Sequence, residues 1–210
     1  MNEQAQWYFD FISPFSYLQL RSVLEWRSRL EITPVPILFG AVLQQIGQLG
    51  PAEIRGKREF TYRFVQWQAE REGRPLRFPR THPFNPMAAL RLAIAAGTTW
   101  AAIEAIFAHI WQYGHDADAA GLAPVGRQLD IADVATAIDA AAVKAQLRAN
   151  TEAALAAGVY GVPTLKTGDE MFWGNDATPM IEDWLARPDL FSGAEYRRIA
   201  NLPIGIQRQR

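Results

Sequence analysis

The stretch QWYFDFISPFSYL, residues 6–18, restricts the fold more than any other part of this chain. Gln6 to Ile12 is rich in aromatic residues and reads as a buried strand. Ser13 suits a helix N-cap and Pro14 the first helical position. Tyr17, Leu20 and Leu24 then recur at i, i+3 and i+7, which predicts a helix to about Arg29. A second apolar, β-branched run follows from Ile32 to Phe39, where Pro34 and Pro36 suit an edge strand. Strand, helix and strand over so short a span make a βαβ unit with two parallel strands.

The chain then changes character. From Gly40 to Gly158 there is almost no strand signal. Helices are expected over Arg55–Glu72, Met87–Ala96, Thr99–Tyr113, Asp130–Asp139 and Ala141–Ala157. Between them lie a proline-rich loop, PLRFPRTHPFNP (Pro75 to Pro86), and a Gly/Ala/Asp loop from Gly114 to Pro124. Pro163–Thr167 and Glu170–Trp173 flank Gly168-Asp169 and read as a hairpin. A last helix, capped by Asp176 or Thr178, runs to about Ala186, and the segment from Arg187 looks irregular. The order βαβ, helical block, ββα predicts an α/β, thioredoxin-like fold with a large all-helical insertion. On this reading residues 1–39 and 159–210 form one discontinuous domain, and 40–158 the inserted one.

Composition removes several functions. Among 210 residues, 21 basic side chains balance 22 acidic ones, so nothing suggests nucleic acid or a membrane surface as partner. Cysteine is absent, which excludes disulfides, thiol catalysis by the chain itself and Cys-ligated metals, and fits a cytoplasmic setting. The residues MNEQAQ show no signal-peptide pattern. The uncharged run Ile32–Ala52 is long enough to suggest a membrane span, but three prolines and three glutamines within it argue against one.

Three motifs carry the chemistry. Ser13-Pro14-Phe15-Ser16 places two serines at the spacing of a C-x-x-C pair, on a helix N-terminus that favours an anion. In Gly161-Val162-Pro163-Thr164 a proline opens a strand, where a cis bond would leave the Val162 backbone free to pair with an extended peptide. Trp173-Gly174-Asn175-Asp176 turns from strand to helix, and its N–H groups and side chains suit a carboxylate and an ammonium together. Together they describe a tripeptide-like ligand that brings its own sulfur.

On FDFISPFSYL, GVPT and WGND, and on GPAEIRGK and the FP…N loop, the sequence resembles the 2-hydroxychromene-2-carboxylate isomerases. These are bacterial relatives of the kappa-class glutathione transferases within the DsbA-like thioredoxin superfamily. The resemblance implies glutathione as cofactor, Ser13 as the catalytic residue that favours its thiolate, and a homodimer. It assigns Val162, Pro163, Trp173, Gly174, Asn175 and Asp176 to glutathione. The substrate would be a small aromatic carboxylate, with Arg55 and Lys57 receiving its carboxylate and His82 and Asn85 shaping the aromatic end. The chain departs from the isomerase pattern GP-x-N-R-x-x-K, having Glu53-Ile54 at the Asn-Arg pair, and Glu53 stands close enough to neutralise Arg55. It also has Ala177 where the isomerases often have arginine.

Bland roles compete with these. Ser16 reads as a first-turn residue and Asp10 as a paired structural carboxylate. His82 suits either the substrate cleft or an exposed loop. His109 reads as structural, and His115, Asp116 and Asp118 as a solvated loop. Phe60, Tyr62, Phe64 and Trp67 read as core. Three functions remain open: a glutathione-dependent cis-trans isomerase, a kappa-like transferase that consumes the thiol, and a redox-inert peptide-binding module.

Overall fold

The computed structural model describes residues 3–206, and the described chain divides after Asn175 into two compact units. The first begins with β1 (Glu3–Phe9), α1 (Pro14–Trp26) and β2 (Leu30–Pro36). Helices follow: α2 (Phe39–Ile46), α3 (Lys57–Arg71), α4 (Met87–Ala95) and α5 (Trp100–Phe107), the last running into a π-helical turn over Ala108–Gln112. Three more, α6 (Ala123–Gln128), α7 (Val134–Asp139) and α8 (Ala141–Ala156), lead to the hairpin of β3 (Thr164–Thr167) and β4 (Glu170–Trp173). The sheet order is β2-β1-β3-β4. β1 is parallel to β2, while β3 is antiparallel to both β1 and β4.

The C-terminal part of β1, Trp7 to Phe9, is buried on both faces, which explains its run of three aromatic residues, whereas Glu3, Gln4 and Gln6 are exposed. Trp7, Phe9 and Phe11 alternate onto one side. Trp7 stacks on Phe9 at 4.6 Å, Phe9 meets Phe11 edge-on at 5.3 Å, and Phe11 lies 4.5 Å from Phe107 of α5. Tyr8 points the other way, into a cluster with Ile37, Val42, Ala154, Val159 and Val162. Burying each such side chain contributes roughly 1.5–3 kcal/mol. Strand β1 therefore binds the inserted helices to both sides of the sheet. The insertion is tied again at the end of β2, where Leu38 N–H donates to Thr151 Oγ1 at 3.0 Å and Asn150 Nδ2 donates to Pro36 O at 3.1 Å.

The expected βαβ unit, edge position of β2, helical block and hairpin are all present. Several boundaries differ, among them the start of α7, at Val134 rather than Asp130. β1 stops at Phe9, because Asp10 to Ile12 form the turn into α1. β2 stops at Pro36, and Phe39 opens a helix closed by Gly47 in the left-handed region, φ 67°. α6 starts inside the expected loop, with Pro124 in its first turn.

The second unit carries α9 (Thr178–Ala186) and α10 (Ala194–Ala200). Neither Asp176 nor Thr178 caps α9: its N-cap position is Ala177, with no side-chain cap. α10 occupies a stretch expected to be irregular, with an Arg198–Glu195 ion pair at 2.6 Å along its surface. None of the described helices is long and apolar enough to cross a membrane.

Two glycines test the packing of the insertion. A Cβ on Gly126 of α6 would lie 2.2 Å from Val134 Cγ2 and 2.8 Å from the Ile131 carbonyl, whereas one on Gly40 of α2 meets nothing within 4 Å. Gly126→Ala is expected to destabilise the fold by about 1–3 kcal/mol. Gly40→Ala should be neutral or stabilise by up to about 1 kcal/mol. Denaturant midpoints of the two variants against the parent check both signs.

Candidate active site

The turn from β1 into α1 is buried, so each of its polar backbone groups needs a partner. Ser13 N–H donates to Asp10 O at 3.1 Å. Ile12 N–H donates to Asp10 Oδ1 at 3.0 Å, and Phe39 N–H to Asp10 Oδ2 at 2.9 Å. The Phe11 carbonyl accepts Trp111 Nε1–H at 2.7 Å, and the Ile12 carbonyl lies 2.9 Å from His82 Nε2. Trp111 comes from the π-helical turn, a form often found where a helix is adapted to a site.

Ser13 caps α1, its Oγ accepting Ser16 N–H at 3.2 Å. No acceptor for the Ser13 hydroxyl proton occurs among the described residues. Ser16 is fully buried, and its Oγ has no hydrogen-bond partner among them. The Ser13 hydroxyl thus sits at the N-terminal end of α1, bonded to the backbone of the buried Ser16.

Sheet register brings the other two motifs to the same end. Tyr8 of β1 pairs with Thr164, and Thr164 with Trp173. The Val162–Pro163 peptide is cis. Neither main-chain group of Val162 takes part in a backbone hydrogen bond among the described residues. Gly174, at φ 91°, donates its N–H to Pro163 O at 2.9 Å. Its carbonyl accepts Gln19 Nε2 at 2.9 Å, and Gln19 Oε1 accepts Trp7 Nε1–H at 2.9 Å. Trp173 lies against Gly161 so closely that a Cβ there would sit 2.2 Å from its Nε1. The Trp173 ring is exposed and meets Tyr160 edge-on at 5.3 Å, while Asn175 is buried. Asp176 belongs to the second unit, exposed in a 3-10 turn.

The start of α3 also reaches this end. Arg58 Nη2 donates to the His82 carbonyl at 2.8 Å, and His82 touches Ile12. Arg55 and Lys57 beside it are exposed. Glu53 does not neutralise Arg55: its carboxylate turns back to accept Gly50 N–H at 2.7 Å. Asn85 is exposed, and its Oδ1 accepts Met87 N–H at 3.0 Å, at the start of α4. His82 is not an exposed loop residue, since protein atoms meet both ring nitrogens. A groove of about 410 Å³ beside α1, lined by Tyr17, Arg21, Arg74 and Glu104 among others, contains none of the residues assigned to glutathione or substrate.

The core reading of the α3 aromatics fails for Phe60 and Trp67, while Tyr62 and Phe64 are half-buried. Phe60 and Trp67 are 63% and 49% exposed, in a stacked row with Phe64. Val65 and Ala69 are the buried residues of α3. A row at i, i+4 and i+7 marks one helix face, and nothing local says whether that face is covered. Sequence reasoning missed Gln19 and Trp111. A glutamine on the apolar face of α1 is the signal that could have found the first, because a buried amide must bond something.

Asp10 is completely buried with no cation beside it among the described residues, so its partners are backbone amides rather than a charge. Burial pushes its carboxyl up to about 7, although bonds from Ile12, Phe39 and Phe11 oppose the shift. Between the unfolded value, about 3.9, and the folded one, the native state holds a proton that the unfolded chain has lost. The unfavourable charge therefore enters as pH rises through this window and is fully present above about pH 7. The contribution of Asp10 to the stability of the parent is expected to fall from about pH 4 to about pH 7. Asp10→Asn should flatten that slope, as read from denaturant midpoints across the range.

The comparisons with known proteins agree with this geometry. The family model for a DSBA-like thioredoxin domain matches residues 5–186. A 2-hydroxychromene-2-carboxylate isomerase of Pseudomonas putida is 32% identical over 191 residues, covering 87% of this chain and 94% of that protein. The glutathione S-transferase kappa 2 of Caenorhabditis elegans is 26% identical over 207 residues, covering 88% and 92%. A solved 2-hydroxychromene-2-carboxylate isomerase superposes with a TM-score of 0.77 at 28% identity, over 96% of this chain and all of that one. Fold and site thus define a DsbA-like thioredoxin protein without cysteine. Within that class, the chain belongs to the 2-hydroxychromene-2-carboxylate isomerase family.

Proposed function

We propose that this protein is a glutathione-dependent cis-trans isomerase of a small aromatic carboxylate such as 2-hydroxychromene-2-carboxylate. The observation that carries the reading is the Ser13 hydroxyl. It accepts an N–H from the first turn of α1 and keeps its own proton uncommitted. Bound glutathione would supply a thiolate able to add reversibly to a conjugated double bond and leave after rotation about it.

The residues present suit such a ligand. The unused main chain of Val162, beside cis-Pro163, matches the backbone of an extended peptide. The Trp173-Gly174-Asn175 turn, steadied by Gln19, offers a polar end for the γ-glutamyl head. Ser13 donates to sulfur and, with the helix N-terminus, favours its anionic form. A free thiol titrates at about 8.5, so lowering it by one to two units takes roughly 1.4–3 kcal/mol, the strength of one charge-assisted hydrogen bond. Arg55 and Lys57 receive the substrate carboxylate, with the His82–Asn85 loop at the aromatic end.

Ser13→Ala should raise the apparent pKa of bound glutathione by about one unit or more, measured by thiolate absorbance across a pH titration. An unchanged pKa would remove Ser13 as the activating group. Neutral replacements of Arg55 and Lys57 should lower kcat/KM for a carboxylate substrate roughly tenfold per lost contact while leaving glutathione affinity unchanged. Equal losses on a neutral analogue would refute the carboxylate clamp. The kappa 2 relative supports conjugation as the second reading. Thiol counting during turnover separates the two, because only conjugation consumes glutathione.

A further inference from the structure

His82 has two protein partners, and the first of them determines that Nε2 is protonated. The Ile12 carbonyl, 2.9 Å from Nε2, can only accept, so Nε2 carries the hydrogen. In the neutral ring Nδ1 is then the acceptor, and Tyr62 Oη lies 2.7 Å from it. Tyr62 Oη is also 2.7 Å from the His82 carbonyl, which Arg58 Nη2 meets at 2.8 Å. The Arg58 guanidinium lies over the Tyr62 ring at 5.4 Å. Trp111 and Phe78 meet the imidazole edge-on at 5.4 and 6.1 Å. Burial, and more weakly the Arg58 charge, hold the ring below its ordinary pKa against the opposing bond to the Ile12 carbonyl.

We infer that His82 is a positioning residue for Ser13: its Nε2–H, held in place by Tyr62, sets the plane of the Ile12–Ser13 peptide from which the Ser13 side chain projects. The inference rests on the reading of Ser13 given above. That peptide unit is bonded at both ends, its carbonyl to His82 and its N–H to Asp10 O. The neighbouring Phe11 carbonyl is held by Trp111. A peptide plane fixed on both sides fixes the Cα–Cβ direction of Ser13, and bonds in such a chain reinforce one another. His82 thus acts through the turn, with no ring nitrogen left to meet a substrate.

The test uses His82→Gln, whose side-chain amide can reach Ile12 O, and His82→Leu, which has no donor. Hydrogen exchange of the Ser13 amide, followed by NMR, reads the turn whatever the enzyme does. His82→Leu should speed that exchange about tenfold or more, raise the bound-thiol pKa and lower kcat with little change in the KM of the substrate. His82→Gln should restore most of each. If both variants raise KM and leave exchange and thiol titration unchanged, His82 is a substrate ligand and the inference is overturned. If exchange responds as expected but Ser13→Ala leaves the thiol titration unmoved, positioning stands and the thiolate role of Ser13 falls. Should His82→Leu fail to fold, nitrogen NMR of the parent decides: a ring protonated at Nε2 and bare at Nδ1 supports the inference, and the opposite tautomer overturns it.

Discussion

The structure depends on a short buried turn whose backbone cannot satisfy itself. Between the last residue of β1 and the first of α1, the groups of Asp10, Phe11, Ile12 and Ser13 lie too deep for water to serve them all. Leaving one buried group unpaired costs about 1–3 kcal/mol. The Asp10 carboxylate meets two of these demands, one from the turn and one from the start of α2. Trp111 and His82 meet the two carbonyls from 100 and 70 residues further along the chain. A local requirement for hydrogen bonds thereby becomes a long-range constraint on where the helices must sit.

This explains why the helical insertion is part of the active end rather than an appendage. Apolar contacts hold it to both faces of β1, through Phe107 on one side and Val42 and Ala154 on the other. Those contacts are strong but not directional. The directional part comes from single donors: Trp111 and His82 to the turn, and Tyr17 Oη to Pro75 O at 2.6 Å. The burial of β1 supplies the energy, and these bonds supply the angle at which Ser13 is presented.

A turn built this way suits a chain without cysteine. A cysteine in the same position would itself be the nucleophile and would need room to move between redox partners. On the proposed reading, a serine that polarises a borrowed thiolate needs a fixed direction, and the Ser13 N–H and the Phe11 and Ile12 carbonyls of the turn are all bonded. The buried Asp10 works toward the same end at a cost, since its charge is opposed by burial yet required by two amide donors.

Much of this was legible in the sequence. The alternation in QWYFDF, Ser-Pro at the helix start, the prolines of β2 and the Gly-Asp hairpin determine the elements, because each is a local matter of period, cap or turn. The absence of cysteine determines that any thiol at the site would have to come from a ligand. The spacing of GVPT and WGND was enough to nominate a peptide-like ligand, and the sheet register then brought GVPT and Trp173 to the end of the sheet where Ser13 lies. Tertiary structure alone decided the rest. It left the Phe60, Phe64 and Trp67 row largely in the open, because a helical period shows a face without showing its cover. It turned Glu53 toward Gly50 instead of Arg55, a choice between two near neighbours made by backbone direction. Above all, it joined His82 and Trp111 to Ile12 and Phe11, since which distant donor meets a buried carbonyl depends on how whole helices pack, and no local pattern carries that information.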